Sequence, residues 1–143
     1  MTWVLNDPNR SLAYILADLG YDVWLTNNRG TRYSREHKLY IDKMENWKFW
    51  DFSFDEMAQY DIPANFEYIK NITKAKQVIY IGHSQGTTQM FAHLCVKPEF
   101  KANIKAFIGL GPVAMVGNQV YQLSLSKFIR KMFVGKLFGL NFE

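Results

Sequence analysis

The chain has 143 residues, of which 48% are hydrophobic and 16% aromatic. This length and composition predict one folded domain with a core and exclude a disordered chain. The formal net charge of +4 comes from Lys and Arg residues that are scattered, apart from a cluster near the C-terminus. Because no basic stripe or recognised module accompanies the charge, we do not expect nucleic-acid binding.

Cysteine and histidine usage excludes two further classes of site. The single cysteine, Cys95, excludes an internal disulfide, and the three histidines lack metal-ligand spacing. We therefore expect no metal and no cofactor, with Cys95 as a small buried residue.

Residues 1–10 contain Asp7 and Pro8 where a signal peptide would be basic, so the chain shows no signal peptide. The longest mainly apolar stretch, 106–116, is too short to span a membrane.

The first predicted elements are a helix, a strand and a loop. Leucine and isoleucine at helical spacing predict a helix over 11–19, with Ser11 capping its start and Gly20 closing its end. A short strand is predicted over 22–26. The loop that follows, 27–34, is rich in residues that favour turns, and such loops often carry function. We expect it to shape the rim of a site through Asn28, Arg29 and Gly30.

Aromatic residues are dense over 46–54. This density is typical of buried packing, with a stacking platform for sugars or bases as the alternative. Ser53 and Glu56 have the spacing of a capping box, which predicts a helix toward Asn71 that Pro63 bends or restarts. Acidic residues near its start suit the helix dipole, and a carboxylate pair for glycoside hydrolysis is the alternative. These residues are Asp55, Glu56 and Asp61.

Strands and a helix alternate in the second half of the chain. Two buried strands are predicted over 77–81 and 104–110 from their β-branched and aromatic residues. The helix between them is predicted over 85–96 and is stopped by Pro98. This alternation predicts an α/β fold, with a parallel sheet and flanking helices.

The turn between the first of these strands and the helix reads Gly-His-Ser-Gln-Gly. This is the nucleophile-elbow pattern, which lifts the serine hydroxyl clear of the sheet. A side chain at Gly82 or Gly86 is expected to collide with the neighbouring strand or helix. We therefore expect Ser84 to be a nucleophile and the Gln85 N–H to donate to a developing oxyanion. His83 is expected to support the turn by packing. The alternative is that the turn is purely structural and that Ser84 takes no part in catalysis.

Several segments together resemble the acid lipases, the family that includes gastric and lysosomal acid lipase. They are SLAYILAD at 11–18, GYDVWL at 20–25, NRG at 28–30, FSFDEM at 52–57 and GHSQGTT at 82–88. The resemblance implies an α/β-hydrolase fold and hydrolysis of acylglycerols or steryl esters through an acyl-enzyme on Ser84, with Gln85 giving one oxyanion donor. It implies no cofactor, and full-length relatives that are secreted or lysosomal.

The other catalytic groups of this family are missing from the sequence. The triad of the fold follows the order Ser, then Asp or Glu, then His. After Ser84 there is no Asp, the Glu residues are Glu99 and Glu143, and the one His is His93. His93 lies in the predicted helix and is expected on its packed or outer face. Since a serine without its base loses most of its catalytic rate, we expect the isolated chain to be nearly inactive, as a fragment, a truncated gene model or a splice product of a complete lipase.

The predicted organisation has two parts. Residues 1–118 are a partial α/β-hydrolase core, and 119–143 are the start of a helical cap. Residues 121–143 combine apolar and basic side chains in a pattern that also fits an amphipathic helix on a lipid surface. Two other classes stay open: a non-catalytic lipid-binding module, and another α/β hydrolase such as a thioesterase or peptidase.

Overall fold

The computed structural model describes residues 3–39 and 47–115. The predicted cap and lipid-contact segment, 119–143, lies outside these residues. The helices are α1 (Leu12–Asp18), α2 (Phe54–Glu56), α3 (Ile62–Thr73) and α4 (Gln85–Val96), and the strands are β1 (Val78–His83) and β2 (Ile104–Leu110). A π-helical turn, Met57–Asp61, joins α2 to α3, and 3-10 turns cover Pro8–Arg10 and Pro98–Asn103. None of the helices in this part of the chain is long and apolar enough to cross a membrane.

Strands β1 and β2 lie side by side and parallel, and α4 connects them. The register pairs Tyr80 with Phe107 and His83 with Leu110. The predicted α/β fold with a parallel sheet and flanking helices is confirmed, and the bounds of α4 and β2 agree with those predicted. Because both strands run the same way, the turn after β1 and the loop after β2 lie at the same edge of the sheet.

The core lies between α3, α4 and the sheet. Ile62, Phe66 and Met90 are buried there, with Met90 fully inaccessible to solvent. The Phe66 ring stacks on Tyr80 and meets Phe100 edge-on, with ring centroids 6.1 and 4.9 Å apart. Full burial of such a side chain contributes about 1.5–3 kcal/mol. This cluster therefore holds α4 firmly against the strand that precedes it.

Two of the strand predictions need correction. Residues 22–26 do not form a strand. A strand requires a hydrogen-bonded neighbour, and within 3–39 and 47–115 the sheet consists of β1 and β2. The prediction of two buried strands is also wrong, because most side chains of β2 are exposed and Gly82 is the one buried residue of β1. In this part of the chain β1 is the strand that borders β2, and no second strand covers its other edge.

Helix α1 ends as predicted but begins differently. Gly20 has a φ of +86°, and its N–H donates to the Ala17 carbonyl at 2.9 Å, which closes the helix with a left-handed residue. Ser11 occupies the N-cap position, but its hydroxyl donates to the Asn6 carbonyl at 2.8 Å. The prediction that the Ser11 side chain caps α1 is therefore wrong, because that hydroxyl ties the helix to the segment before it.

The capping box and the helix restart are both confirmed. The Glu56 carboxylate accepts from the Ser53 N–H at 2.6 Å, and this hydrogen bond lowers the pKa of Glu56. The helix then passes through the π turn, where the Ile62 N–H donates to the Met57 carbonyl. Pro63 has no N–H to donate and lies in the first turn of α3, where none is needed. A π turn of this kind is often found beside a functional site.

Two burial predictions are wrong or partly wrong. Cys95 is exposed near the end of α4, whose buried residues are Thr87, Thr88, Gln89, Met90 and His93. In the aromatic stretch, Phe49 is 6% exposed whereas Trp47 is 69% exposed. Buried packing is therefore confirmed for Phe49 and wrong for Trp47, whose ring is partnered by the Lys48 ammonium at 5.8 Å.

Candidate active site

Ser84 occupies the turn between β1, which ends at His83, and α4, which begins at Gln85. Its backbone has φ 50° and ψ −117°, a conformation that costs energy for any residue with a side chain. The Ser84 N–H donates to the Leu110 carbonyl at 2.9 Å, so the turn is held against the end of β2. The serine side chain is exposed. A strained, exposed serine between a strand and a helix is the geometry of a nucleophile elbow.

The two glycines of the turn differ in what they allow. A Cβ at Gly82 would lie 2.9 Å from Tyr80 Cε1 and 3.0 Å from the backbone of Gly86 and Thr87. The predicted collision is confirmed there, because backbone atoms cannot move aside. A Cβ at Gly86 would lie 3.6 Å from the Tyr80 hydroxyl, which is an ordinary van der Waals contact. The prediction of a collision at Gly86 is therefore wrong.

Tyr80 fastens the start of α4 to the strand. Its hydroxyl donates to the Gly86 carbonyl at 2.9 Å, and its ring meets Phe107 with centroids 5.6 Å apart. Burial raises the pKa of Tyr80 to about 12. Tyr80 is not among the site residues predicted from the sequence. Its position two residues before Gly82 was the available signal, because alternate strand residues share one face.

Two threonines tie the first turn of α4 to the loop after β2. The Thr87 hydroxyl donates to the Ser84 carbonyl at 2.6 Å and accepts from the Val113 N–H at 2.9 Å. The Thr88 hydroxyl donates to the Val113 carbonyl at 2.8 Å. Thr87 is fully buried, so these bonds are shielded from water. The elbow is thus held on both sides, by β1 and by the loop that follows β2.

The Gln85 N–H lies at the start of α4, directly after Ser84. The first N–H groups of a helix have no partner within it, and the helix dipole makes this end partly positive. The Gln85 side chain is exposed. An oxygen that becomes negative beside Ser84 would therefore meet a backbone donor and a favourable field.

The two histidines closest to Ser84 in sequence are both placed as predicted. His93 is 5% exposed and its ring meets Phe100 edge-on at 4.3 Å, which puts it on the packed face of α4. It is about 13 Å along the helix axis from Ser84. Burial lowers the pKa of His93, and the Ala58 carbonyl partly opposes this effect. His83 packs its ring edge against Trp3, with centroids 6.4 Å apart. Neither arrangement presents an imidazole to the Ser84 hydroxyl.

The loop over 27–34 is anchored by an ion pair. The Arg29 guanidinium contacts one oxygen of Asp61 at 2.6 and 2.8 Å, and the Arg29 N–H donates to the other oxygen at 2.9 Å. The guanidinium also lies 5.4 Å from the ring centroid of Tyr60. Gly30 follows with a φ of +78° and packs under Phe52. Since Asp61 is committed to Arg29, the structure does not support its use in a glycosidase carboxylate pair.

An open hollow of about 540 Å³ adjoins this loop. Its lining residues include Arg29, Arg32, Tyr33, Arg35, Asp61 and Asn65. Ser84 and Gln85 are not among them, so the hollow is separate from the elbow. Within the described ranges, no group of His, Cys, Asp or Glu side chains is arranged to hold a metal ion.

The comparisons with known proteins agree with this geometry. Residues 5–132 match the family model of the alpha/beta hydrolase fold, and the chain belongs to this family. It is 44% identical to gastric triacylglycerol lipase of Homo sapiens over 137 residues, which are 96% of this chain and 34% of that protein. It is 51% identical to lysosomal acid lipase/cholesteryl ester hydrolase of Homo sapiens over 114 residues, 80% of this chain and 28% of that protein.

A third relative, lipase member M of Mus musculus, is 49% identical over 115 residues, 80% of this chain and 26% of that protein. The expected resemblance to the gastric and lysosomal acid lipases is therefore confirmed. The chain spans about a third or less of the length of these relatives.

Proposed function

We propose that the protein containing this chain is a serine ester hydrolase, a lipase that acts on acylglycerols or steryl esters, with Ser84 as its nucleophile. The observation that carries the proposal is the exposed Ser84 at φ 50° between β1 and α4. The substrate class is supported by the names of the similar proteins, a triacylglycerol lipase and a cholesteryl ester hydrolase. The proposed reaction needs no cofactor.

The reaction proceeds in two steps. The Ser84 oxygen bonds to the carbonyl carbon of the ester while its proton passes to a general base. The resulting oxyanion accepts a hydrogen bond from the Gln85 N–H. The ester C–O bond then breaks, the alcohol leaves with the proton, and water hydrolyses the acyl-enzyme. Loss of one oxyanion donor in such a site costs about 10²–10³ in kcat.

The base and the acid of the triad lie outside these 143 residues in this proposal. After Ser84 the sequence has no Asp, and its one His is the buried His93. Without the base, the remaining rate enhancement over the reaction in water is only about 10³–10⁴-fold, even with a complete oxyanion hole. We therefore expect the isolated chain to hydrolyse esters at no more than about 10³–10⁴ times the rate in water, far below the rate of the complete enzyme of which it is a fragment.

The test compares serine variants of the protein expressed from its complete natural reading frame, with emulsified triacylglycerol and cholesteryl ester as substrates. Ser84→Ala is expected to lower kcat by at least about 10⁴-fold. Ser53→Ala is the matched control, since it removes a helix cap at about 1 kcal/mol and leaves kcat unchanged. Unchanged hydrolysis by Ser84→Ala would contradict the proposal.

The proposal extends to the segment that follows the core. We assign 1–118 to the hydrolase core and 119–143 to the start of a cap whose apolar face contacts lipid through 121–143. In that segment Phe128, Ile129, Met132 and Phe133 recur at helical spacing among Lys and Arg residues. The names of the gastric and lysosomal relatives support secretion or lysosomal delivery of the full-length protein.

Liposome co-sedimentation tests the lipid contact. Phe128→Asp puts a charge on the apolar face and is expected to reduce the bound fraction several-fold, whereas Phe128→Leu keeps that face apolar and binds normally. Equal binding by the two variants would count against lipid contact through this segment. Ester hydrolysis is followed in parallel, because binding by a protein that hydrolyses nothing would favour a non-catalytic lipid-binding module.

A further inference from the structure

Gln89 is a buried polar side chain on the helix that starts at the proposed nucleophile. It is 1% exposed. It lies one turn after Gln85, so the two residues share a face of α4. A buried amide is costly unless it is hydrogen-bonded. Its side-chain oxygen accepts from Asn28 Nδ2 at 3.2 Å, and its side-chain nitrogen lies 3.2 Å from the Met57 sulfur.

Asn28 belongs to a loop that is fixed by its own contacts. Its carbonyl accepts from the Thr31 N–H at 3.2 Å and from the Thr31 hydroxyl at 2.9 Å. The next residue, Arg29, is held by Asp61 through both its guanidinium and its backbone N–H. The Asn28 amide is therefore a stationary partner for Gln89, 61 positions away in sequence.

The other contacts near the start of α4 run in different directions. Tyr80 ties it to β1, and Thr87 and Thr88 tie it to the loop after β2. The bond from Asn28 holds the face of the helix that carries Gln85. Its loss would leave this face of α4 without that tie to the loop over 27–34, while the bonds of Tyr80, Thr87 and Thr88 remain.

We propose that Asn28 and Gln89 are positioning residues for the elbow, and that their hydrogen bond sets where the Gln85 N–H lies relative to Ser84. This inference rests on the proposed role of Ser84. Neither residue takes part in the chemistry itself. Because a misplacement of about 1 Å can cost about 10²-fold in rate, the loss of this bond affects kcat rather than substrate binding.

The test uses the protein from its complete reading frame, with active sites counted by a fluorophosphonate that modifies the catalytic serine. Asn28→Ala and Gln89→Met each remove the bond, and methionine keeps the length of the glutamine side chain beside Met57. Each variant is expected to lower kcat per titrated site by about 10-fold and to leave KM within about twofold. Because the two residues act through one bond, the double variant is expected to be no slower than either single variant.

Asn103→Ala is the matched control at the opposite end of the sheet. Asn103 precedes β2 and bonds to Lys70 at 2.5 Å, so its loss weakens packing far from Ser84. It is expected to lower Tm while kcat per titrated site stays at the wild-type value. Asn28→Ala remains informative if Gln89→Met does not fold, since Asn28 is only partly buried.

The outcomes separate the two proposals. The positioning role would be overturned if the Asn28 and Gln89 variants kept the wild-type kcat. It would also be overturned if the two losses of kcat simply added in the double variant, or if Asn103→Ala lost as much kcat. Absence of a Ser84 adduct in the wild-type protein would instead overturn the proposed function. The inference is supported if kcat falls in the Asn28 and Gln89 variants but not in Asn103→Ala, and if KM is retained.

Discussion

A serine with a positive φ persists only where its neighbours determine its backbone. At Ser84 the Leu110 carbonyl accepts the N–H, and the Thr87 hydroxyl donates to the carbonyl. The N–H and the carbonyl of Ser84 are thus both held in place, and the side chain is exposed. The strain is stored at the residue that the proposed mechanism uses.

The elbow glycines give a matched pair of substitutions. Gly82→Ala is expected to lower the free energy of unfolding by about 1–3 kcal/mol, because its Cβ would meet the Gly86 and Thr87 backbone at 3.0 Å. Gly86→Ala is expected to be neutral or to stabilise by up to about 1 kcal/mol, since it has room and lies in a helix. Urea denaturation measures both, and equal losses would contradict the contacts described for the elbow.

Tyr80 is expected to make the stability of the folded protein depend on alkaline pH. Its pKa is raised by burial to about 12 in the folded protein, against about 10 in the unfolded chain. Between these values the unfolded chain releases the phenol proton while the folded protein keeps it, so stability falls as pH rises. The stability difference between wild type and Tyr80→Phe is expected to be constant below about pH 10 and to shrink by on the order of 2 kcal/mol by pH 12. A difference that stays constant to pH 12 would show that Tyr80 is not buried as described.

At the scale of elements, the Arg29 and Asp61 ion pair joins the loop over 27–34 to the π turn before α3. The Asp61 side chain is 11% exposed and accepts three bonds from one residue. Arg29 also faces the rings of Phe52 and Tyr60. A planar guanidinium makes these contacts together, whereas an ammonium does not.

Lysine substitutions test this difference. Arg29→Lys is expected to lower the free energy of unfolding by about 1–2 kcal/mol, because it loses the paired bonds and the ring contacts. Arg32→Lys, at an exposed residue of the same loop, is expected to change it by less than about 0.5 kcal/mol. Thermal or urea unfolding of the two variants provides the comparison, and equal effects would mean that the ion pair contributes little.

The elements that can be predicted best from the sequence are those whose signals lie in neighbouring residues. The capping box at Ser53, the stop at Pro98 and the strand–turn–helix around Ser84 each depend on neighbouring residues, and the structure has them where predicted. The Arg29–Asp61 and Asn28–Gln89 contacts join residues 32 and 61 positions apart, so no local pattern indicates them. The exposure of Cys95 likewise depends on contacts between distant residues, which no local pattern indicates.

At the scale of the whole molecule, neither His83 nor His93 presents an imidazole to the Ser84 hydroxyl. His93 is committed to packing against Phe100, and the sequence after Ser84 has no Asp. The part of each similar lipase that this chain matches is about a third or less of that lipase's length. We therefore propose that Ser84 is the nucleophile and that the base and the acid come from residues outside these 143.

The most direct test of this assignment is to locate the residue that reacts. The protein from its complete reading frame is treated with a fluorophosphonate, digested, and mapped by mass spectrometry, beside the isolated 143-residue chain. We expect an adduct on Ser84 in the complete protein and little or none in the isolated chain, where no base is expected to activate Ser84. An ester-hydrolysing protein whose adduct maps to another residue, with Ser84 unmodified, would contradict the assignment.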